Sequence, residues 1–184
     1  YKEDFIAATM STELTNTAKL REFVEELKRL KIEIIKPSIN KCFSEFKAEK
    51  NKIFYGLGAI KNVGFVAISN IVAEREKNGK FKNLLDFIHR VDSKDINKLQ
   101  LEGLVKSGVF DEFDPDRNKI LNSIPKIIQQ IKNINEDKLN NQTSLFDHDG
   151  DEKSEFDYLN SKSWTKKELL LEEFKSLGFY ISDH

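Results

Sequence analysis

Apolar residues recur at helical spacing first in Phe5, Ile6 and Met10, then at Leu20, Phe23, Val24, Leu27 and Leu30, one face of a 3.6-residue period. This pattern predicts two helices joined near Thr15. The period changes at Ile32-Glu33-Ile34-Ile35, which reads as a short strand before Pro37, and Phe43 to Tyr55 reads as a hairpin turning at Glu49-Lys50-Asn51. Helical spacing returns at Phe65–Lys77, closed by Asn78-Gly79, at Leu84–Val91 behind an Asn83 cap, and at Asp95–Lys106, closed by Ser107-Gly108. Asp114-Pro115 opens a longer helix whose apolar face runs through Ile120, Ile124, Ile127 and Ile131 to about Ile134, with a kink at Pro125. Residues 135–163 are polar and acidic, lack an apolar period, and read as a linker. Thr165 and Glu168 make a capping box for a last helix, which Gly178 stops.

The expected fold is therefore mainly α with minor β. Its expected segments are a helical region at 1–40, a unit of short helices at 41–110, a long helix at 111–134, the linker at 135–163 and a C-terminal helix at 164–184. With 184 residues, 39% of them hydrophobic, the chain is long enough for a packed core. The net charge of −1 excludes a uniformly basic nucleic-acid binder, but the average hides an asymmetry. Residues 41–110 carry 13 Lys and Arg against 8 Asp and Glu, whereas residues 111–184 carry 10 against 16. Contact with phosphate is expected in the middle third, and the acidic final third is expected to face solvent or another protein. The lone Cys42 excludes an internal disulfide. No apolar leader or membrane-length apolar run stands out, so a cytoplasmic location is expected.

The most informative stretch is Tyr55-Gly56-Leu57-Gly58-Ala59-Ile60-Lys61-Asn62-Val63-Gly64-Phe65, followed by Val66-Ala67-Ile68. It fits a helix-hairpin-helix, two short helices meeting at a tight Gly-hydrophobic-Gly turn whose backbone N–H groups face a DNA phosphate. Here Asn62 takes the first glycine slot, Val63 is the hydrophobic plug, Gly64 keeps the second slot, and Lys61 adds a positive charge. Asn is the non-glycine residue that best tolerates the left-handed conformation, and a β-branched residue at Gly64 is expected to resist the turn. The same spacing also fits an ordinary turn without a ligand. A second, weaker copy in Leu99, Leu101, Leu104, Val105, Ser107, Gly108 and Val109 has one turn glycine and reads as structural.

Within the linker, Gln142-Thr143-Ser144-Leu145-Phe146 matches the pentapeptide by which bacterial replication and repair proteins dock on the sliding clamp. By itself it equally fits a Leu-Phe pair tacking the loop to the core. Asp147, Asp149 and Asp151 begin like a calcium loop, but Glu152 and Tyr158 occupy the positions of its glycine and closing glutamate, so a solvated acidic loop is expected. His89, His148 and His184 stand alone, and no nucleophile, metal-ligand or phosphate-loop signature accompanies them. No cofactor and no catalytic residue is expected in this stretch.

The order of several motifs resembles the alpha subunits of bacterial DNA polymerase III. They are Asp4-Phe5-Ile6-Ala7-Ala8, Asn16-Thr17-Ala18-Lys19-Leu20, Ile35-Lys36-Pro37-Ser38-Ile39-Asn40, Tyr55 to Lys61, Gly108-Val109-Phe110-Asp111 and Leu177-Gly178-Phe179-Tyr180-Ile181-Ser182. The resemblance implies an internal piece running from the distal fingers (1–40) through the DNA-contacting helix-hairpin-helix unit (41–110) to the clamp-binding linker. It further implies a parent enzyme that extends primers using magnesium held by carboxylates in a palm domain upstream of Tyr1. Duplex DNA and the sliding clamp are the partners implied for this piece, with other replisome subunits engaged through regions outside it. A repair or recombination module that binds DNA through the same hairpin, without clamp binding, is the competing expectation.

Overall fold

The computed structural model describes residues 2–140 and 155–181. Two helices, α1 (Lys2–Ser11) and α2 (Thr17–Arg29), open the chain and meet at the expected turn, where Asn16 caps α2 by accepting from the Lys19 amide at 3.2 Å. Strand β1 (Glu33–Ile35) follows, then a hairpin of β2 (Lys47–Glu49) and β3 (Lys52–Phe54). The hairpin turns through Lys50 and Asn51 at φ 42° and 62°. Two left-handed residues in succession give the twist that a two-residue connection needs. The sheet order is β1-β3-β2, with β1 parallel to β3 and Ile34 opposite Ile53. The expected boundary at residue 40 is thus crossed by the sheet, because β1 pairs with a strand of the following segment.

Helices α3 (Phe65–Asn78), α4 (Leu84–Arg90) and α5 (Lys98–Lys106) form the central unit. Asn83 and Asn97 cap α4 and α5 by accepting from the amides of Asp86 and Gln100 at 2.7 and 2.8 Å. The expected helix from Asp95 is corrected here. Ser93–Asp95 is a separate 3-10 turn and Ile96 is extended (φ −124°, ψ 130°), which breaks the helical run before Asn97 restarts it.

The expected long helix over 111–134 is likewise two helices, α6 (Arg117–Asn122) and α7 (Ile124–Leu139). Proline lacks the N–H that a continuous helix would need, so Pro125 sits in the first turn of α7 instead of kinking its interior. Asp116, not Asp114, caps α6 through the Lys119 amide at 3.2 Å. The fully buried Ser123 marks the break, its Oγ donating to Lys119 O and accepting from Leu159 N, both at 2.9 Å. Two parts of the expected linker are therefore ordered elements. Residues 135–139 belong to α7, and Phe156 packs into the core with its ring 5.0 Å from that of Tyr158. Helix α8 (Lys166–Leu177) has the expected capping box and ends on Gly178 at φ 87°.

One apolar core joins these elements. Tyr55 is fully buried between Phe46 and Phe179, and Phe81, Phe87 and Phe110 follow one another at centroid distances of 5.2 and 5.0 Å. Edge-to-face packing of this kind adds about 0.5–1.5 kcal/mol per pair beyond burial. The motif around Pro37 lies at the junction of the layers. Asn40 bonds the Phe81 backbone in both directions at 2.9 Å, and Arg75 donates to Ile39 O at 2.8 Å and to Cys42 O. Burial pushes the Cys42 thiol up to about 11, so it is a packed apolar group rather than a nucleophile.

Candidate nucleic-acid interface

After β3 the chain makes a 3-10 turn at Leu57–Ala59 instead of the expected first helix. Its amides at Leu57 and Gly58 donate to Phe43 O and Ser44 O at 2.8 and 2.9 Å, pressing the turn against the segment before β2. A Cβ at Gly56 or Gly58 would approach that backbone to 2.9 or 2.8 Å, so these two glycines serve packing within the chain. The hairpin follows. Val63 N donates to Ile60 O at 3.2 Å, Asn62 takes φ 68° as its sequence slot requires, and Val63 is buried as the plug. Lys61 and Asn62 are exposed, and Lys61 N donates to Ser176 O of α8 at 3.0 Å.

Gly64 is the N-cap of α3 and differs from the expectation. Its backbone is ordinary extended chain (φ −70°, ψ 136°), which any residue adopts, and a Cβ there would meet nothing within 4 Å. The value of glycine at this position is open space in front of the helix. Helix α3 has no side-chain cap and no acidic residue in its first turn. Its leading N–H groups therefore carry the partial positive charge of a helix N-terminus, with no cap and no first-turn carboxylate to compensate it. A groove of about 540 Å³ lies beside this end, lined by Leu14, Thr15 and Thr17 from the α1–α2 region and by residues 58–64. Lys61 is the single charged side chain among the residues lining it. The arrangement suits an anion approached along the backbone.

The second half-motif is closed. Helix α5 ends on Gly108 at φ 88°, and a Cβ there would lie 2.4 Å from an Arg117 nitrogen. Arg117 is buried, donates to both Asp111 oxygens at 2.9 and 2.8 Å and to Lys106 O at 3.0 Å, and reaches Glu173 Oε1 of α8 at 3.3 Å. Burial opposes its charge, but the hydrogen bonds and charges of Asp111 and Glu173 outweigh that and hold its pKa above the ordinary arginine value. The place an external anion would take is filled by the chain's own carboxylates. The reading of this copy as structural agrees with that geometry.

Gln142, Thr143, Ser144, Leu145 and Phe146, with the acidic positions Asp147, Asp149 and Asp151, lie outside the described residues. Among the described residues no three His, Cys, Asp or Glu side chains cluster as a metal site, and no helix is long and apolar enough to cross a membrane.

Residues 31–120 match the family described as a helix-hairpin-helix motif, which covers the sheet, both hairpins, α3 to α5 and the first four residues of α6. This part of the chain is thus a helix-hairpin-helix unit. Along its whole length it is 40% identical to DNA polymerase III subunit alpha of Borreliella burgdorferi and 38% identical to that of Neisseria meningitidis serogroup B. Over 98% of its length it is 34% identical to the subunit of Caulobacter vibrioides. The chain spans 16% of the length of each of these relatives. It is similar, along its length, to one segment of the DNA polymerase III alpha subunits. Sequence reasoning named Lys61, Asn62, Val63 and Gly64, and the structure brings them together. It missed Thr15 and Thr17, which no local pattern connects to residues so far along the chain.

Proposed function

We propose that this chain is a non-catalytic part of a replicative DNA-directed DNA polymerase and holds the phosphate backbone of duplex DNA at the Lys61–Gly64 hairpin. The observation that supports this most directly is the N-terminus of α3. It is uncapped, free of carboxylates in its first turn, open in front of Gly64 and flanked by Lys61. Contacts of this type position a protein on DNA without reading bases. The catalytic carboxylates and their magnesium belong, in this reading, to a part of the polymerase outside these residues, and the enzyme works in the cytoplasm.

The test is a DNA titration across a salt series. Lys61→Ala should weaken binding equally for unrelated sequences and flatten the dependence of log K on log salt by about 0.9, the share of one phosphate contact. Unchanged slope and affinity would reject the hairpin as a DNA contact.

We also propose that the peptide Gln142-Thr143-Ser144-Leu145-Phe146 docks on the sliding clamp in extended form, Leu145 and Phe146 entering an apolar pocket and Gln142 hydrogen-bonding at its rim. Each large apolar side chain contributes about 1.5–3 kcal/mol when buried. Ordering the loop offsets part of that, so affinity should be micromolar. Tethering on shared DNA makes such affinity sufficient for processivity. Changing Leu145 and Phe146 to Ala should abolish clamp binding, while Leu139→Ala, at an exposed position of α7, should not. Equal binding by the wild type and the double variant would rule docking out, and DNA binding without clamp binding would favour a repair or recombination module.

A further inference from the structure

The groove beside the hairpin has two walls, and only one belongs to the helix-hairpin-helix. The other is the turn between α1 and α2, which contributes Leu14, Thr15 and Thr17. Helix α2 begins at Thr17 and α3 at Phe65, so two helices start at one groove. Its volume of about 540 Å³ lies within the roughly 300–1,000 Å³ of ligand sites and exceeds what a single phosphate would fill. No carboxylate is among its lining residues.

Among the described residues the two threonines have no structural duty that uses their hydroxyls. Asn16 already caps α2, accepting from the Lys19 amide. Neither Thr15 nor Thr17 makes a side-chain hydrogen bond among the described residues. Thr15 is exposed. A Cβ at Gly178 would lie 2.2 Å from the Thr17 methyl but 3.9 Å from its hydroxyl, so the methyl takes the packed side. The hydroxyl is left for the groove. A hydroxyl is a neutral donor that suits a phosphodiester oxygen in a wall without counter-charges.

We propose that one DNA strand passes from the α3 N-terminus into this groove, and that Thr15 and Thr17 donate to a second backbone phosphate of that strand. The proposal rests on the hairpin binding DNA and adds a contact contributed by the helical region ahead of the sheet. Hairpin and α1–α2 turn would then act as two jaws on one strand.

The test is an amide-resolved NMR titration of the 184-residue chain with a short mixed-sequence DNA duplex. Amides of Thr15, Thr17 and Gly64 should shift together with one midpoint. Replacing both threonines by Val preserves their shape and the contact with Gly178. It should lower affinity about fivefold to tenfold, the loss of two neutral-donor hydrogen bonds, while leaving the Gly178 amide where it was and the Gly64 shift intact. Thr17→Ser, which keeps the hydroxyl, should bind within twofold of wild type. Shifts at Gly64 without shifts at Thr15 and Thr17, or undiminished affinity of the valine variant, would overturn the second contact and leave the hairpin standing. No shift at Gly64 would overturn the hairpin reading itself.

Discussion

The two hairpins of this chain have related local sequences and opposite surroundings. At the first, Gly64 faces empty space, the following helix is uncapped, and Lys61 has no ion pair among the described residues. At the second, Gly108 faces the guanidinium of Arg117, which Asp111 and Glu173 neutralise from within. The turn alone does not make a binding site. What decides is whether the chain supplies its own counter-charge, and a buried ion network inside one turn makes it a joint where a neighbouring turn remains a contact.

Several substitutions would break or sharpen this contrast. Arg117→Ala should cost about 3–5 kcal/mol in urea denaturation, because it strips the guanidinium from the nearly inaccessible Glu173. Lys61→Ala should leave stability within about 0.5 kcal/mol. Gly108→Ala should cost about 1–3 kcal/mol, since it forces a left-handed side chain against Arg117. Gly103→Ala tests how the open hairpin is seated. Its Cβ would lie 2.5 Å from Lys61 O, so the hairpin must move, and an expected loss of about 1–2 kcal/mol should be accompanied by weaker DNA binding. Asn62→Ala should cost about 1 kcal/mol for a left-handed residue, and Asn62→Gly should restore it, both read by thermal melting. The smallest stability effect belongs to Gly64→Ala, within about 0.5 kcal/mol, yet DNA affinity should fall about tenfold as one charge-assisted hydrogen bond is lost. Normal DNA binding by Gly64→Ala would make the two hairpins equivalent after all.

Local chemistry was legible in the sequence. The capping box at Thr165, the caps at Asn83, the left-handed slot at Asn62 and the turn through Lys50 and Asn51 all depend on neighbours within a few residues, and each forms as expected. A few local boundaries were misplaced, as at Asp95, Asp116 and Pro125, and the rest was missed where distance along the chain decides. The parallel pairing of Ile34 with Ile53, the anchoring of Leu159 N on Ser123 Oγ that accompanies the break before α7, and the reach of Arg117 to Glu173 leave no periodic trace.

 The groove formed with Thr15 and Thr17 is invisible for the same reason, since its two walls are separated by the whole sheet.

The amide of Lys61 is tied not to its own hairpin but to Ser176 O, near the end of α8. Its hydrogen exchange is therefore a reporter for the docking of that helix. The same helix carries Glu173 against Arg117 and pairs Glu172 with Lys106 at 3.2 Å. Loosening α8 would unlock both hairpins at once, so the DNA-facing turn and the last described helix should open and close as one cooperative unit, with a shared protection factor along residues remote from each other in the chain.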